Sequence, residues 1–497
     1  MTFALYRFQY PFWDGWCYLA PAVFAHGPGA LTTPLVGGFE GLDRIWGLHW
    51  PGVPLIESAL FTWLPKSALL WMMWNAAQWA AVIALATFWA AAAPEEGRGR
   101  QWALAAVPLL LMADRLLYCI GYSQRNEYLA IAALFVALFG VWRRARDNEE
   151  EPLGLVGWAS LLAFFFLPLS HPLAMAAGAA LLGALWIGRR WSPKPGRPYL
   201  LAATAAYAAG AAAFALYWIA HPAAWAILKE HASMNVRMSE SYGRYYGKVF
   251  LSIVHPRSHA GEGVLLVLGL AVTAATGGRE LAALIRRGEW THGLLTRIVF
   301  AVCLAIALRE HNPDYFAFAL PFAGLLVAQG AAEGASFLAA RGLRRAPRLA
   351  LAGLVLVVAF NAVYLIRRAV DWDRAGRPDG RAELMTLRKQ LDTLPGAAAG
   401  RIVLPVAMWE AAAIAPGPFF MDTLPWSCSP EREARYEAWL TSQLRSGDLL
   451  LLDATEPTPA YFRAGEWEAL ARRRSVIPSS VIKDWVTGFD ITVYRKR

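Results

Sequence analysis

Cysteine and charge are both scarce in this chain. Its four cysteines, Cys17, Cys119, Cys303 and Cys428, show no paired spacing, so they form neither a zinc-ligand motif nor a disulfide framework and read as free thiols. Charged residues make up 17% of the sequence against 57% hydrophobic, with a mean hydropathy of +0.35, which excludes a soluble multidomain protein. No glycine-rich phosphate loop follows any strand-like run. No internal repeat relates one set of apolar runs to another, as many transporters would show. The opening Met1-Thr2-Phe3-Ala4-Leu5-Tyr6-Arg7 is neither a signal peptide nor a span.

What is abundant is long apolar sequence. Runs of span length lie at 66–92, 101–120, 126–142, 153–169, 171–187, 199–219, 261–277, 292–308, 314–336 and 348–366, and none occurs beyond Ile366. The expectation is a polytopic α-helical membrane protein of about ten spans. The turns between runs alternate in charge. Arg98/Arg100, Arg143/Arg144/Arg146, Arg189/Arg190/Lys194/Arg197, Arg279/Arg286/Arg287 and Arg341/Arg344/Arg345/Arg348 fall on one side, which the positive-inside rule makes cytoplasmic. Residues 1–65, 220–260 and 367–497 then lie outside, in the periplasm of a bacterial inner membrane. With the first segment outside and no span before it, either a translocated tail or a span missing upstream is expected. Three parts follow: a periplasmic loop over 1–65, a membrane domain over 66–366 and a soluble α/β domain over 367–497. The net charge of +10 comes largely from the cytoplasmic turns, so it is a topology signal and no nucleic-acid partner is expected.

The last part reads as a small α/β domain. An amphipathic helix is expected over Arg381–Leu394, strands over Arg401–Pro405, Pro418–Met421, Asp448–Asp453 and Phe489–Tyr494, and further helices over Pro430–Leu444 and Ala464–Arg474. This alternation predicts a partly parallel sheet with flanking helices.

Polar groups beside a bilayer are expensive to keep and are therefore where chemistry is sought. The first segment is the richest place, with Tyr10-Pro11-Phe12-Trp13-Asp14-Gly15-Trp16-Cys17-Tyr18, Ala25-His26-Gly27 and His49-Trp50-Pro51-Gly52-Val53-Pro54. An acid set among Phe12, Trp13, Trp16 and Tyr18 is partly desolvated, which suits Asp14 to accept a proton. The competing reading is a solvated loop aspartate flanked by interfacial aromatics.

Asp14, Tyr18, the Ala22–Gly27 stretch and Trp50-Pro51-Gly52-Val53-Pro54 resemble the first outer loop of the GT-C glycosyltransferases that use polyprenyl-phosphate sugars, such as protein O-mannosyltransferases and lipid A aminoarabinose transferases. Similar too are Arg125-Asn126-Glu127-Tyr128-Leu129 opening a span, the close helix pair around His171-Pro172, and Arg309-Glu310-His311-Asn312-Pro313-Asp314-Tyr315 leading into Phe318-Ala319-Leu320-Pro321. The chain departs from the family in lacking a span before the acidic loop and in having Asp14-Gly15 where an acidic pair is common. The resemblance implies inverting transfer of a sugar from a polyprenyl-phosphate donor to a glycan, lipid or protein acceptor. Asp14 is then the general base or an acceptor-orienting acid, with Glu127 as a further catalytic acid. Tyr18, Arg125, His171, Arg244, Lys248, Arg309 and His311 are the substrate-binding candidates, the cations neutralising the departing phosphate.

Plainer readings stand beside these. Arg309 and Glu310 can pair with each other at the interface, Glu127 can serve the N-terminus of its own helix, His171 can be a structural turn residue, and Lys229–Arg257 can be a solvated loop. Asp371-Trp372-Asp373 matches a metal-binding pattern of soluble glycosyltransferases, but it lies where nucleotide sugars are not available. His255 and His259 flank the helix-breaking Pro256 without a third ligand. No cofactor is expected, although a divalent metal is compatible with the class. The alternatives from other classes are a lipid-phosphate transporter or flippase and a noncatalytic membrane scaffold.

Overall fold

The computed structural model describes residues 19–25, 27, 31–32, 36–44, 50–92, 98–113, 127–146, 153–240, 260–310, 313–343, 345–376, 379–394, 400–414, 417, 419–424, 428–455, 458–476 and 488–497. A short helix α1 (Ala20–Val23) and α2 (Gly52–Trp63) precede the bundle. The bundle comprises α3 (Ala68–Ala92), α4 (Arg98–Ala113), α5 (Glu127–Arg146), α6 (Leu155–Ser170), α7 (Pro172–Gly188), α8 (Arg197–Ala220), α9 (Pro222–Glu240), α10 (Ala260–Arg287), α11 (His292–Glu310), α12 (Leu320–Ala340) and α13 (Ala346–Arg374). Every apolar run expected from the sequence is thus matched by a helix.

Among the described residues, five helical stretches are long and apolar enough to cross a membrane: Ala68–Ala92, Glu127–Arg146, Arg197–Ala220, Gly263–Arg287 and Leu320–Ala340. Five shorter apolar stretches accompany them, including Leu155–Ser170 and Pro172–Gly188. At 1.5 Å per residue these two reach about 25 Å, a little less than a hydrocarbon core of about 30 Å. Leu216, Ile219, Leu349, Val355 and Leu356 point outward with more than half their surface exposed, as lipid-facing side chains do.

Close approach of helices rests on small residues. A Cβ on Gly140 of α5 would lie 2.1 Å from the Ser160 side chain of α6, and one on Gly210 of α8 would lie 2.0 Å from the Phe165 carbonyl oxygen of α6. Hydroxyl bonds tie the same helices: Ser160 Oγ and Tyr199 OH are 2.8 Å apart, and Tyr207 OH donates to the Met175 carbonyl at 2.7 Å. The arginine-rich turns gather at one end. Lys194 Nζ donates to the Arg146 carbonyl, Gly188 packs on Trp290, and Gly288 meets the Trp191 carbonyl.

At the opposite end α13 leads into the C-terminal domain, with α14 (Gly380–Thr393), α15 (Trp409–Ile414) and α16 (Pro430–Gln443) around a five-stranded sheet. Its strands are β1 (Ile402–Leu404), β2 (Phe419–Met421), β3 (Leu449–Asp453), β4 (Trp467–Val476) and β5 (Gly488–Lys496), in the order β2-β1-β3-β5-β4. β1 pairs in parallel with β2 and β3, whereas β5 pairs antiparallel with β3 and β4. Both faces are covered, so the central strands are almost wholly apolar. Ile402, Leu404, Leu449 and Leu451 face α14, α15 and α1, while Val403 and Leu450 face α16 and residues 31–42.

Three expectations change. The segment Ala464–Arg474, expected to be helical from its Ala, Leu, Glu and Arg content, is a 3-10 turn over Ala464–Glu466 followed by the edge strand β4. Pairing with β5 overrides helix propensity, and cross-strand pairs reinforce it: Arg495 Nη2 donates to Glu468 Oε2 at 2.7 Å and Arg472 Nε to Asp490 Oδ1 at 2.6 Å. The loop expected over Lys229–Arg257 begins inside the 19-residue helix α9, Pro222–Glu240. Its Pro222 occupies the first turn, where a missing N–H goes unnoticed, and its Ile227 is buried against the C-terminal domain. The first segment is likewise no free-standing loop. Leu19, Val23 and Phe61 share a core with Leu384, Trp409 and Leu404, and Trp71 of α3 stacks on Trp409 at 5.6 Å.

Candidate functional site at the sheet-bearing end of the bundle

His171 breaks the chain between α6 and α7. Its backbone is extended, Pro172 starts the next helix, and its Nδ1 accepts from the Leu173 N–H at 3.2 Å, capping α7. The ring lies 4.5 Å from that of Phe318 and edge-on to Tyr315 at 5.2 Å. Those two aromatics belong to the 3-10 turn Pro313–Phe318 that leads into α12. The His171-Pro172 pair and the late turn, far apart in sequence, therefore form one contact.

Two further segments converge here. The 3-10 turn packs against α5, whose first residue is Glu127, and Glu127 is only 1% exposed. Its carboxylate stands at a helix N-terminus, where backbone N–H groups favour negative charge. The proline-rich stretch enters α2 at Gly52, packed so tightly on α6 that a Cβ there would lie 2.7 Å from the Leu169 carbonyl oxygen. Trp50, just before it, stacks on Phe214 of α8 at 4.9 Å.

The other sequence-derived candidates are not brought into view. Asp14, Tyr18, Arg125, Arg244, Lys248 and His311 lie outside the described residues. Arg309 falls in the last turn of α11. Among the described residues no group of three or more His, Cys, Asp or Glu side chains is placed to hold a metal ion.

A polar cluster that sequence reasoning missed lies beside the proline-rich stretch. Glu57 of α2 is 3% exposed, and its Oε1 accepts from Trp74 Nε1 at 2.8 Å and from Gln78 Nε2 at 3.5 Å, both on α3. Its Oε2, Gln78 Oε1 and Asn75 Nδ2 are buried with no hydrogen-bond partner among the described residues. Leaving such atoms unpaired costs about 1–3 kcal/mol each, so three in one place is not a neutral arrangement. Burial raises the Glu57 pKa from 4.5 to about 7, opposed by the hydrogen bonds from Trp74 and Gln78. The sequence signal was present: a lone acid in Leu55-Ile56-Glu57-Ser58-Ala59-Leu60, and two amides inside an otherwise apolar helix.

Charged groups fasten this end shut. Arg432 of α16 pairs with Glu230 of α9 at 2.8 Å and also with Glu40, and Arg435 Nε donates to Glu40 Oε1 at 3.0 Å. The Ser429 N–H adds a bond to Glu230 Oε1 at 2.8 Å.

No protein-family model and no curated protein matches the sequence. A solved structure does match the fold: the crystal structure of ArnT from Cupriavidus metallidurans in the apo state, with a TM-score of 0.55 and 12% identity, covering 99% of this chain and 95% of that one. ArnT is an aminoarabinose transferase of the GT-C superfamily. Bundle and C-terminal α/β domain together thus share the fold of that structure.

Proposed function

We propose that the chain is an inverting glycosyltransferase of a bacterial inner membrane, moving a sugar from a polyprenyl-phosphate donor to a periplasmic lipid, glycan or protein acceptor. The observation that carries this is the similarity to ArnT over nearly the whole of both chains, bundle and terminal domain together. Convergence of the proline-rich stretch, the start of α5, His171 and the turn before α12 at one end supports it. These are the segments that the sequence resemblance selected.

In this mechanism Asp14 takes the proton from the acceptor hydroxyl or amine as that group attacks the anomeric carbon. The lipid phosphate leaves with the bonding electrons, so configuration inverts. Arg125, Arg309, His311, Arg244 and Lys248 are the candidates to neutralise its charge, with Arg suited to bidentate contact. His171 and Tyr18 line the donor side, and Glu127 is the second acid. Those cations supply the positive charge that the departing phosphate needs, so the step calls for no metal. The C-terminal domain lies in the periplasm and covers the site.

The test is sugar transfer from radiolabelled polyprenyl-phosphate sugars in membranes carrying the chain, beside Asp14→Asn. Transfer by the parent chain, reduced by about a hundredfold or more in Asp14→Asn at equal expression, supports enzyme and base together. Equal transfer by both removes Asp14 from the mechanism. Absence of transfer with every donor, together with transbilayer movement of the lipid, favours a flippase instead.

A further inference from the structure

We propose that Glu57, Asn75 and Gln78 form a subsite that binds hydroxyl groups of the lipid-linked sugar. This deepens the glycosyltransferase reading and rests on it for the identity of the ligand. The side chains come from two elements: Glu57 of α2 is bonded by Gln78 Nε2 of α3 at 3.5 Å, and Asn75 lies three positions before Gln78, on the same face of α3. All are at most 3% exposed.

Their unused atoms are two acceptors, Glu57 Oε2 and Gln78 Oε1, and one donor, Asn75 Nδ2. A sugar hydroxyl both donates and accepts, so two adjacent hydroxyls can engage all three. Once Glu57 is ionised, above about pH 7, a phosphate fits poorly, because it brings mainly acceptors and its charge opposes that of the carboxylate. The cluster therefore belongs to the sugar and not to the lipid phosphate. Trp74 and Phe61, edge-to-face at 6.5 Å, provide apolar walls of the kind that sugar rings pack against. Position agrees as well, since Glu57 lies one and a half turns along α2 from Gly52, where that helix meets Leu169 beside His171.

The experiment measures equilibrium binding of radiolabelled lipids to the purified full chain in detergent. The probes are polyprenyl phosphates bearing mannose, glucose or aminoarabinose, and the same lipid phosphate without a sugar. The parent chain is expected to bind at least one glycosylated lipid about tenfold more tightly than the bare lipid phosphate. The near-isosteric variants Glu57→Gln and Asn75→Leu should each remove most of that preference and leave binding of the bare lipid phosphate unchanged. Equal binding of all probes by the parent chain overturns the subsite, and so does a preference that survives in both variants. Weaker binding of every probe by both variants, bare lipid phosphate included, assigns the cluster a structural role and overturns it too. Transfer is measured in parallel on the parent chain. A sugar preference lost in the variants without any transfer separates the two ideas, since the subsite then stands and the enzyme does not.

Discussion

At Glu57 the folded chain holds a proton to higher pH than the unfolded chain does, because burial disfavours the charged carboxylate and two hydrogen bonds only partly offset this. The consequence for stability has a definite sign. Below about pH 4.5 both states are protonated and the residue contributes no pH dependence. As pH rises from there to about 7 the unfolded chain ionises first, so stability falls, by roughly 3 kcal/mol in all at about 1.4 kcal/mol per pH unit. Glu57→Gln has nothing to ionise. Its melting temperature in detergent should match the parent's more closely at pH 5 and exceed it by several degrees at pH 8. An offset that is the same at both pH values would show that Glu57 is not desolvated. A variant that gains stability at pH 8 and loses sugar preference would be the trade expected of a binding residue held in an unfavourable environment.

For the elements, the joint between α9, the first segment and α16 is the most testable. Arg432, about one-fifth exposed, serves Glu230 and Glu40 at once, and single surface pairs are worth about 1 kcal/mol or less. A double-mutant cycle on Glu230→Gln and Arg432→Gln should give a coupling of about 1 kcal/mol at low salt, falling well below that in 1 M NaCl. A coupling indifferent to salt would contradict an ionic joint. The same elements show what can be read from the chain alone. The bundle helices and β1, β2, β3 and β5 were legible because long apolar runs and short β-branched, leucine-rich or aromatic strands carry their own pattern. β4 was not, because Trp467–Val476 is built from helix formers and becomes a strand only through its ladder with β5. α9 hid behind its polar residues, although Pro222 followed by Trp225, Ile227 and Leu228 signals an amphipathic helix. Glu57 hid for another reason: Trp74 and Gln78 lie 17 and 21 positions further on, so its burial exists only once α2 docks on α3.

For the whole molecule, helix direction links the chemistry to a side of the membrane. α3, α5, α7, α10 and α12 run away from the sheet-bearing end, and the alternate helices return to it, so the arginine-rich turns share the far end. If the positive-inside rule sets orientation, that far end is cytoplasmic, and the end that carries Glu57, Glu127, His171 and the C-terminal domain faces the periplasm. Charge in short turns dominates insertion, whereas a compact domain of the size of residues 380–497 is translocated largely regardless of its own charge. Two exposed positions report on this. Ala434 lies on the outer surface of α16, and Arg345 lies in the turn before α13. In a background with the four native cysteines replaced, Ala434→Cys should react with a membrane-impermeant maleimide once only the outer membrane is opened. Arg345→Cys should react only after the inner membrane is permeabilised. The reverse pattern would put the polar cluster in the cytoplasm, where nucleotide sugars are available. The polyprenyl-phosphate donor would then lose its rationale even though the fold stayed the same.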